Sequence, residues 1–483
     1  MGIGGIEYLL HITEKKAVLV HVDDDILDLK VPETVLYEGE EYPVCGIGPD
    51  AIGKDSNLVS VSLPDSVTEL PDGCFRGCRS LKRIDLGNGL RSVGADAFCD
   101  CVSLETVRLP PTVGSIGKRS FFSCTGLKEV VLSPKCRVLD EYSFYRCVNL
   151  RRIDLPEQLE EIRECALYGC GLTEVDLSDN IMDVHPLAIG GDTFKEFRVS
   201  PGNRHYSSGK YGALYSKDGS ELISMPGTIT GFIKLPDSVK VIGRQAFYHS
   251  RLSGIVLGDG IREIHAFAFY GSDLGSVIIP KTVEYLGDSA FSYCDRLIFA
   301  EILSPESVCE ELFSYCKSLM LVRICNETTE IGMGAFECCS SLKIIELPFG
   351  LKSIESGAFY HSGLTEVSLP SHVKSVGDAA FRGTNIEKAE FDKALKHIGH
   401  SAFGGCRLKE ADILCDCSVE RDAFEDCPLT DVTYHGTSPL DLPEGCTLHQ
   451  IYVPRVIEND ENKKRFIEWL KRRADEFYKV HGQ

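Results

Sequence analysis

Along most of the chain the apolar residues fall into short alternating runs: LKRIDL (81–86), LETVRL (104–109), LRRIDL (150–155), LTEVDL (172–177) and LTEVSL (364–369). Alternation with a period of two predicts a short strand with one buried face. Proline often follows (Pro64, Pro110, Pro156, Pro236, Pro280, Pro348, Pro370), and its fixed φ and missing N–H end the pairing. A V-x-x-I/V-G segment such as VKVIG or VKSVG comes next, with glycine placed for a turn. The cycle closes on an A-F-x-x-C phrase, which predicts a short helical turn carrying its aromatic inward. From Phe75 that aromatic returns at Phe98, Phe121, Phe144 and Leu167, each 23 residues after the last.

A fixed period of about 20 to 30 residues marks a solenoid, in which each repeat is one coil that completes its neighbour's core. The array starts at Ile52, runs through Leu167 to Ile189, and resumes at Phe247, Phe269, Phe291, Phe313, Phe336, Phe359, Phe381, Phe403 and Phe424. Its spacings are 21 to 23 residues, giving about sixteen coils. Strands of successive coils are expected to pair in parallel.

The phrases L-x-x-I-x-L-P, I-G-x-x-A-F and C-x-x-L, as in LKIIELPFGLKSIESGAFYHSGL, resemble the BspA-type leucine-rich repeat family over about 45 to 435. The resemblance implies a mainly β, right-handed solenoid with short helical turns, a parallel sheet face and a C-terminal capping helix. It also implies a non-catalytic binding protein, and many family members are surface adhesins for host or matrix proteins.

Expected boundaries follow from where the period holds. Residues 1–44, with a hairpin in IEYLLHITEKKAVLVHV (6–22), form an N-terminal β cap. A first array covers 45–189 and a second 236–435, with an island at 190–235 between them. In the island, strands from Tyr211 to Ser216 and from Glu221 to Ser224 flank an Asp218-Gly219 hairpin turn. This island either bends or splits the solenoid, or presents tyrosines as a binding loop. Residues 436–483 form a C-terminal cap, with a strand at IYVP (451–454) and an amphipathic helix at 459–480. Its lysines and arginines suit the solvated face of a cap, or an acidic partner or membrane contact.

Charge and cysteine content narrow the function classes. A net charge of −21 argues against a nucleic-acid backbone as partner. No apolar run is long enough to span a membrane, and the N-terminus lacks the features of a secretory signal. Ten of the 21 cysteines lie three residues after an anchor (Cys78, Cys101, Cys124, Cys147, Cys170, Cys294, Cys316, Cys339, Cys406, Cys427), where other coils carry Ser250, Ser272, Ser362 or Thr384. They are expected to be buried thiols in a reducing compartment, so the chain is placed in the cytoplasm. A cell-surface or secreted location by a non-standard route is the alternative.

No P-loop, H-E-x-x-H or G-x-S-x-G motif occurs, and no catalytic, cofactor or metal residues are assigned. Cys99/Cys101, Cys165/Cys170, Cys338/Cys339 and Cys415/Cys417 lack the converging second pair that zinc needs. His249 and His361 follow AFY in equivalent coil positions and read as repeat variants.

The outward strand positions are the informative ones. They are polar through most of the array: Arg83/Asp85, Thr106/Arg108, Arg152/Asp154, Glu174/Asp176, Lys388/Glu390 and Glu410/Asp412. Five consecutive coils depart from this, with Val256, Ile278, Phe299, Leu321 and Ile344 facing out beside Glu301, Arg323 and Glu346. At roughly 5 Å per coil they predict an apolar stripe about 20 Å long. Such a stripe fits a protein partner, self-association or cover from within the chain. A smaller acidic stretch, Glu174, Asp176 and Glu196 with Arg198, needs no partner beyond water.

Overall fold

The computed structural model describes residues 1–49, 51–53, 56–391, 394–413, 417–435 and 440–450. The strand expected at 451–454 and the helix expected at 459–480 lie outside these residues. Within them the chain is a β-solenoid of about 17 turns with parallel sheets. The only helical element among the described residues is the 3-10 turn Lys210–Gly212.

A typical coil supplies two strands. The alternating run gives the outward one, and Arg83–Asp85, Thr106–Arg108 and Glu129–Val131 pair in parallel in that order. The V-x-x-I segment gives a two-residue strand, and Glu69–Leu70, Ser92–Val93 and Ser115–Ile116 form a second parallel ladder. Their alternate residues, among them Val107, Leu109, Val93 and Ile116, point into the core.

The A-F-x-x-C phrase forms turns rather than the expected helical turn, and the backbone shows why. Around most anchors the residues two before and two after are left-handed: Asp96 and Asp100 around Phe98, Arg119 and Ser123 around Phe121, Tyr142 and Arg146 around Phe144. A left-handed residue stops a right-handed helix from propagating. The N–H groups then alternate in direction. Asp96, Phe98 and Asp100 donate to the next coil at Lys118, Ser120 and Phe122, whereas Cys99 and Cys101 close turns onto Asp96 and Phe98. Half of the hydrogen bonds a helix would keep to itself are spent joining coils.

Inside, the anchors stack. Phe75, Phe98, Phe121 and Phe144 follow one another at 5.0 to 5.2 Å between ring centroids. The second array repeats this from Phe247 to Phe424. The cysteines expected to be buried are buried, and no disulfide links the described cysteines. Each of Cys101, Cys124, Cys147 and Cys170 donates to the anchor carbonyl one coil earlier, at 3.0 to 3.2 Å. Cys294, Cys316, Cys339, Cys406 and Cys427 do the same.

At the N-terminus, Ile6–His11 and Lys16–Val22 form the expected hairpin, and Lys16–Val22 continues in parallel onto Glu40–Ile47. Asp28–Lys30, inside the stretch assigned to the cap, is already a rung of the outward sheet beside Ser60–Ser62. The island holds its hairpin between Leu214–Ser216 and Glu221–Ser224, the first strand starting three residues later than expected. Glu221–Ser224 joins the small-strand sheet of the second array through Val241–Ile242. Tyr206 and Tyr215 are buried, so two of the island's tyrosines serve the core rather than an exposed loop. The buried core divides here, one cluster running from Tyr8 to Leu214 and the other from Ala213 to Tyr434.

Candidate protein-binding face

Strand register decides how the outward apolar residues are arranged. One column runs through Phe232, Gly254, Ser276, Phe299 and Leu321, with neighbours paired rung to rung. Two residues further along the same strands, Lys234 pairs with Val256, Ile278 with Glu301, and Glu301 with Arg323. Val256 and Ile278 therefore stand in one column and Phe299 and Leu321 in the other. The stripe expected from the sequence thus follows a path that crosses between columns after Ile278. Alternation identifies both outward positions of a strand, but only register says which column each belongs to.

Val256, Ile278, Leu321 and Ile344 are each about half exposed, and Phe299 is partly covered. The guanidinium of Arg323 lies 5.9 Å from the centre of the Phe299 ring and 3.7 Å from the Glu301 carboxylate. That Arg supplies a cation–π cover on one side and an ion pair on the other.

Phe232 extends the face by one rung and is 72% exposed. Its ring lies over Gly254, where a Cβ would come within 2.3 Å of it. The signal was present in GFIKLP, which fits the strand frame, but the residue fell inside the segment assigned to the island. Ile298 and Met320, at the strand entrances, are also exposed. They lie outside the alternating frame and so were not ranked by it. From Phe232 to Leu321 the face spans five paired rungs, about 19 Å at the usual strand spacing, and Ile344 follows on the next coil.

Next to Ile344 the sheet is interrupted. It ends on Leu321–Ile324 and starts again at Glu366–Ser368, and residues 344–347 make no backbone hydrogen bond with either side. A cleft of about 660 Å³ opens there, lined by Ile324, Ile345, Leu347 and Phe349 with Glu301, Arg323 and Glu346. Ile324, Ile345 and Leu347 stand at inward positions yet are only partly buried. Cys325 lines the same cleft and donates to Glu327 Oε2 at 2.7 Å. Partial burial and then that carboxylate push its thiol up, so it stays protonated at neutral pH.

Before this region several outward charges pair with one another. Arg198 binds Glu174 at 2.6 Å and Glu196 at 2.8 Å, and Lys128 binds Glu105 at 2.8 Å. Among the described residues no group of three or more His, Cys, Asp or Glu could hold a metal ion. Cys415 lies outside them. His249 and His361 occupy matching places, each edge-on to the preceding tyrosine and over the glycine of the next coil. Among the described residues no helix is long and apolar enough to cross a membrane.

The family model described as "BspA type Leucine rich repeat region (6 copies)" matches residues 46–173, 118–193, 228–310 and 306–430. The chain belongs to the BspA-type leucine-rich repeat family. This BspA-type chain has no match among the curated proteins. Among solved structures it is similar to a leucine-rich repeat protein from Eubacterium ventriosum, with 20% identity, a TM-score of 0.58, and 80% of this chain and 94% of that one covered. A leucine-rich cell surface protein from Faecalibacterium prausnitzii is 23% identical at a TM-score of 0.55, covering 74% and 92%. Both likenesses concern the fold.

Proposed function

We propose that this BspA-type protein is a non-catalytic scaffold that binds another protein through the outward face between Phe232 and Ile344. One observation carries the reading. Exposed or partly exposed apolar side chains occupy the outward positions of consecutive coils on a face whose other outward positions are mostly polar or charged. Apolar surface of this extent, bordered by Glu301, Arg323 and Glu346, is what protein interfaces bury, and the flanking charges would fix orientation. The cleft at 344–347 would take a side chain of the partner.

The buried thiols support a reducing compartment such as the cytoplasm. The second reading, an exported protein contacting a host protein or glycan, comes from the family and not from a residue of this chain. Thiol labelling of intact cells separates the two, because surface labelling of this protein would overturn the cytoplasmic placement.

The face itself is tested by Phe299→Asp combined with Leu321→Asp. The double variant is expected to lose at least about tenfold in affinity for a partner isolated with the wild type, while circular dichroism and melting are unchanged. Unchanged affinity would place the interface elsewhere. A partner that proves to be a second copy of the chain would make the face a self-association surface.

A further inference from the structure

The run 344–347 is tethered at both ends and unpaired between them. Before it, the Lys343 carbonyl accepts from the Thr365 N–H at 3.0 Å; after it, the Gly350 N–H donates to the Asn326 carbonyl at 2.8 Å. The rest of this coil is in register. Ser353–Ile354 pairs on both sides in the small-strand sheet, and Phe359 stacks on Phe336 and Phe381 at 5.3 and 5.1 Å. In this coil only the outward run has left its place.

Its residues are nevertheless those of a strand. Leu342, Ile345 and Leu347 in LKIIELP stand where Leu297, Ala300 and Ile302 stand two coils earlier, and Leu364, Val367 and Leu369 one coil later. Leu342 is buried like its counterparts. Ile345 and Leu347 are only partly buried, whereas Ala300, Ile302, Val367 and Leu369 are all in the core. Residues 151–155 also make no ladder bond, yet Ile153 stays buried. The run 344–347 has therefore moved off the core as well as off the ladder.

Pairing would reverse both losses. Glu330 pairs with Ser353, 23 residues on, and the same offset sets Leu321 beside Ile344, Val322 beside Ile345, Arg323 beside Glu346 and Ile324 beside Leu347. The backbone groups of 344–347 would gain ladder partners. Ile324, Ile345 and Leu347 would leave water together, and the cleft of about 660 Å³ would close.

We propose that 344–347 is a strap that exchanges between this open position and a closed one, in which the outward sheet runs unbroken from Phe299–Ile302 to Glu366–Ser368. An apolar group of a partner lodged in the cleft and the closed strap exclude one another, so each shifts the other's population. This coupling rests on the reading of the face as a binding surface; the strap itself does not.

The test is amide hydrogen exchange on the free full chain, resolved at 344–347. Exchange between the two positions predicts protection at least about tenfold above an unstructured chain and at least about tenfold below the paired amides of Phe299–Ile302. Glu346 is exposed, so Glu346→Pro removes a ladder N–H without removing a buried side chain. Protection at 344, 345 and 347 should then fall to that of an unstructured chain, while Phe299–Ile302 keeps its own. Wild-type protection equal to that of Phe299–Ile302, no protection at all, or undiminished protection in Glu346→Pro would each overturn the proposal. The wild-type measurement needs no variant, so it stands even if the proline impairs folding. No partner is involved, so failure here leaves the binding face standing, and failure of the Phe299→Asp with Leu321→Asp test leaves the strap standing.

Discussion

Three positions separate Phe121 from Cys124, and the two side chains join neighbouring coils by different means. The ring is fully buried between Phe98 and Phe144, and Phe121→Ala should destabilise by about 3–5 kcal/mol. The thiol is small and donates to the Phe98 carbonyl. Cys124→Ser keeps a donor of similar size and should cost less than about 1.5 kcal/mol. Cys124→Leu overpacks the site and should cost about 1–3 kcal/mol. Urea midpoints of the three variants measure this order, and a serine variant as damaging as the leucine one would contradict it.

Burial pushes thiols outside that ladder up, Cys136 and Cys165 to about 11 and about 12. Cys309, beside Asp288 and Glu310, reaches about 12, with burial again the largest cause. The folded chain thus keeps protons that the unfolded chain releases near pH 8.5. Their contribution to stability is complete below that pH and is lost as pH rises toward 11 to 12. The urea midpoint should fall over that window, and Cys136→Ser with Cys309→Ser should flatten the fall. A pH-independent midpoint would contradict the assignment.

At the scale of the element, the anchor turn shows how a repeat can look helical and be something else. Spacing and composition of A-F-x-x-C are compatible with one helical turn, and nothing in a single coil forbids it. The left-handed residues at two before and two after the anchor include Arg119, Ser123 and Tyr142. These types do not announce such a backbone, which is imposed by bonding to the adjacent coil. Ser123→Gly removes a left-handed cost of about 1–2 kcal/mol and adds an entropic one of about 0.5–1 kcal/mol. A net gain of about 0.5–1 kcal/mol is expected, whereas Ser123→Val should destabilise. The reverse order would mean that the turn relaxes without cost.

The strands were more legible, because period-two alternation and proline stops mark them directly. Their outward residues could be named from the sequence, including Val256, Ile278, Phe299, Leu321 and Ile344. Register could not, so the crossing between columns, the addition of Phe232 and the interruption at 344–347 emerged only from the paired backbone.

For the whole molecule, the core is continuous within each array and divides at 213–215. A solenoid is stabilised mainly by contacts between neighbouring coils, so that division should appear in unfolding. Urea denaturation followed by hydrogen exchange is expected to show two transitions, one for coils before the island and one for coils after it. A single cooperative transition across both arrays would show that the hairpin couples them fully.

The same extended form gives the protein a long outward side, and among the described residues the stretch from Phe232 to Ile344 leaves apolar side chains uncovered there in succession. The measurement that bears most directly on partner binding is site-specific photo-crosslinking in the native cell. A photoreactive phenylalanine analogue would stand at Leu321 or, on the polar part of the same face, at Arg108. A discrete covalent product with a different protein is predicted from position 321 and not from 108. No product from 321, equal products from both positions, or a product made only of this chain would contradict it.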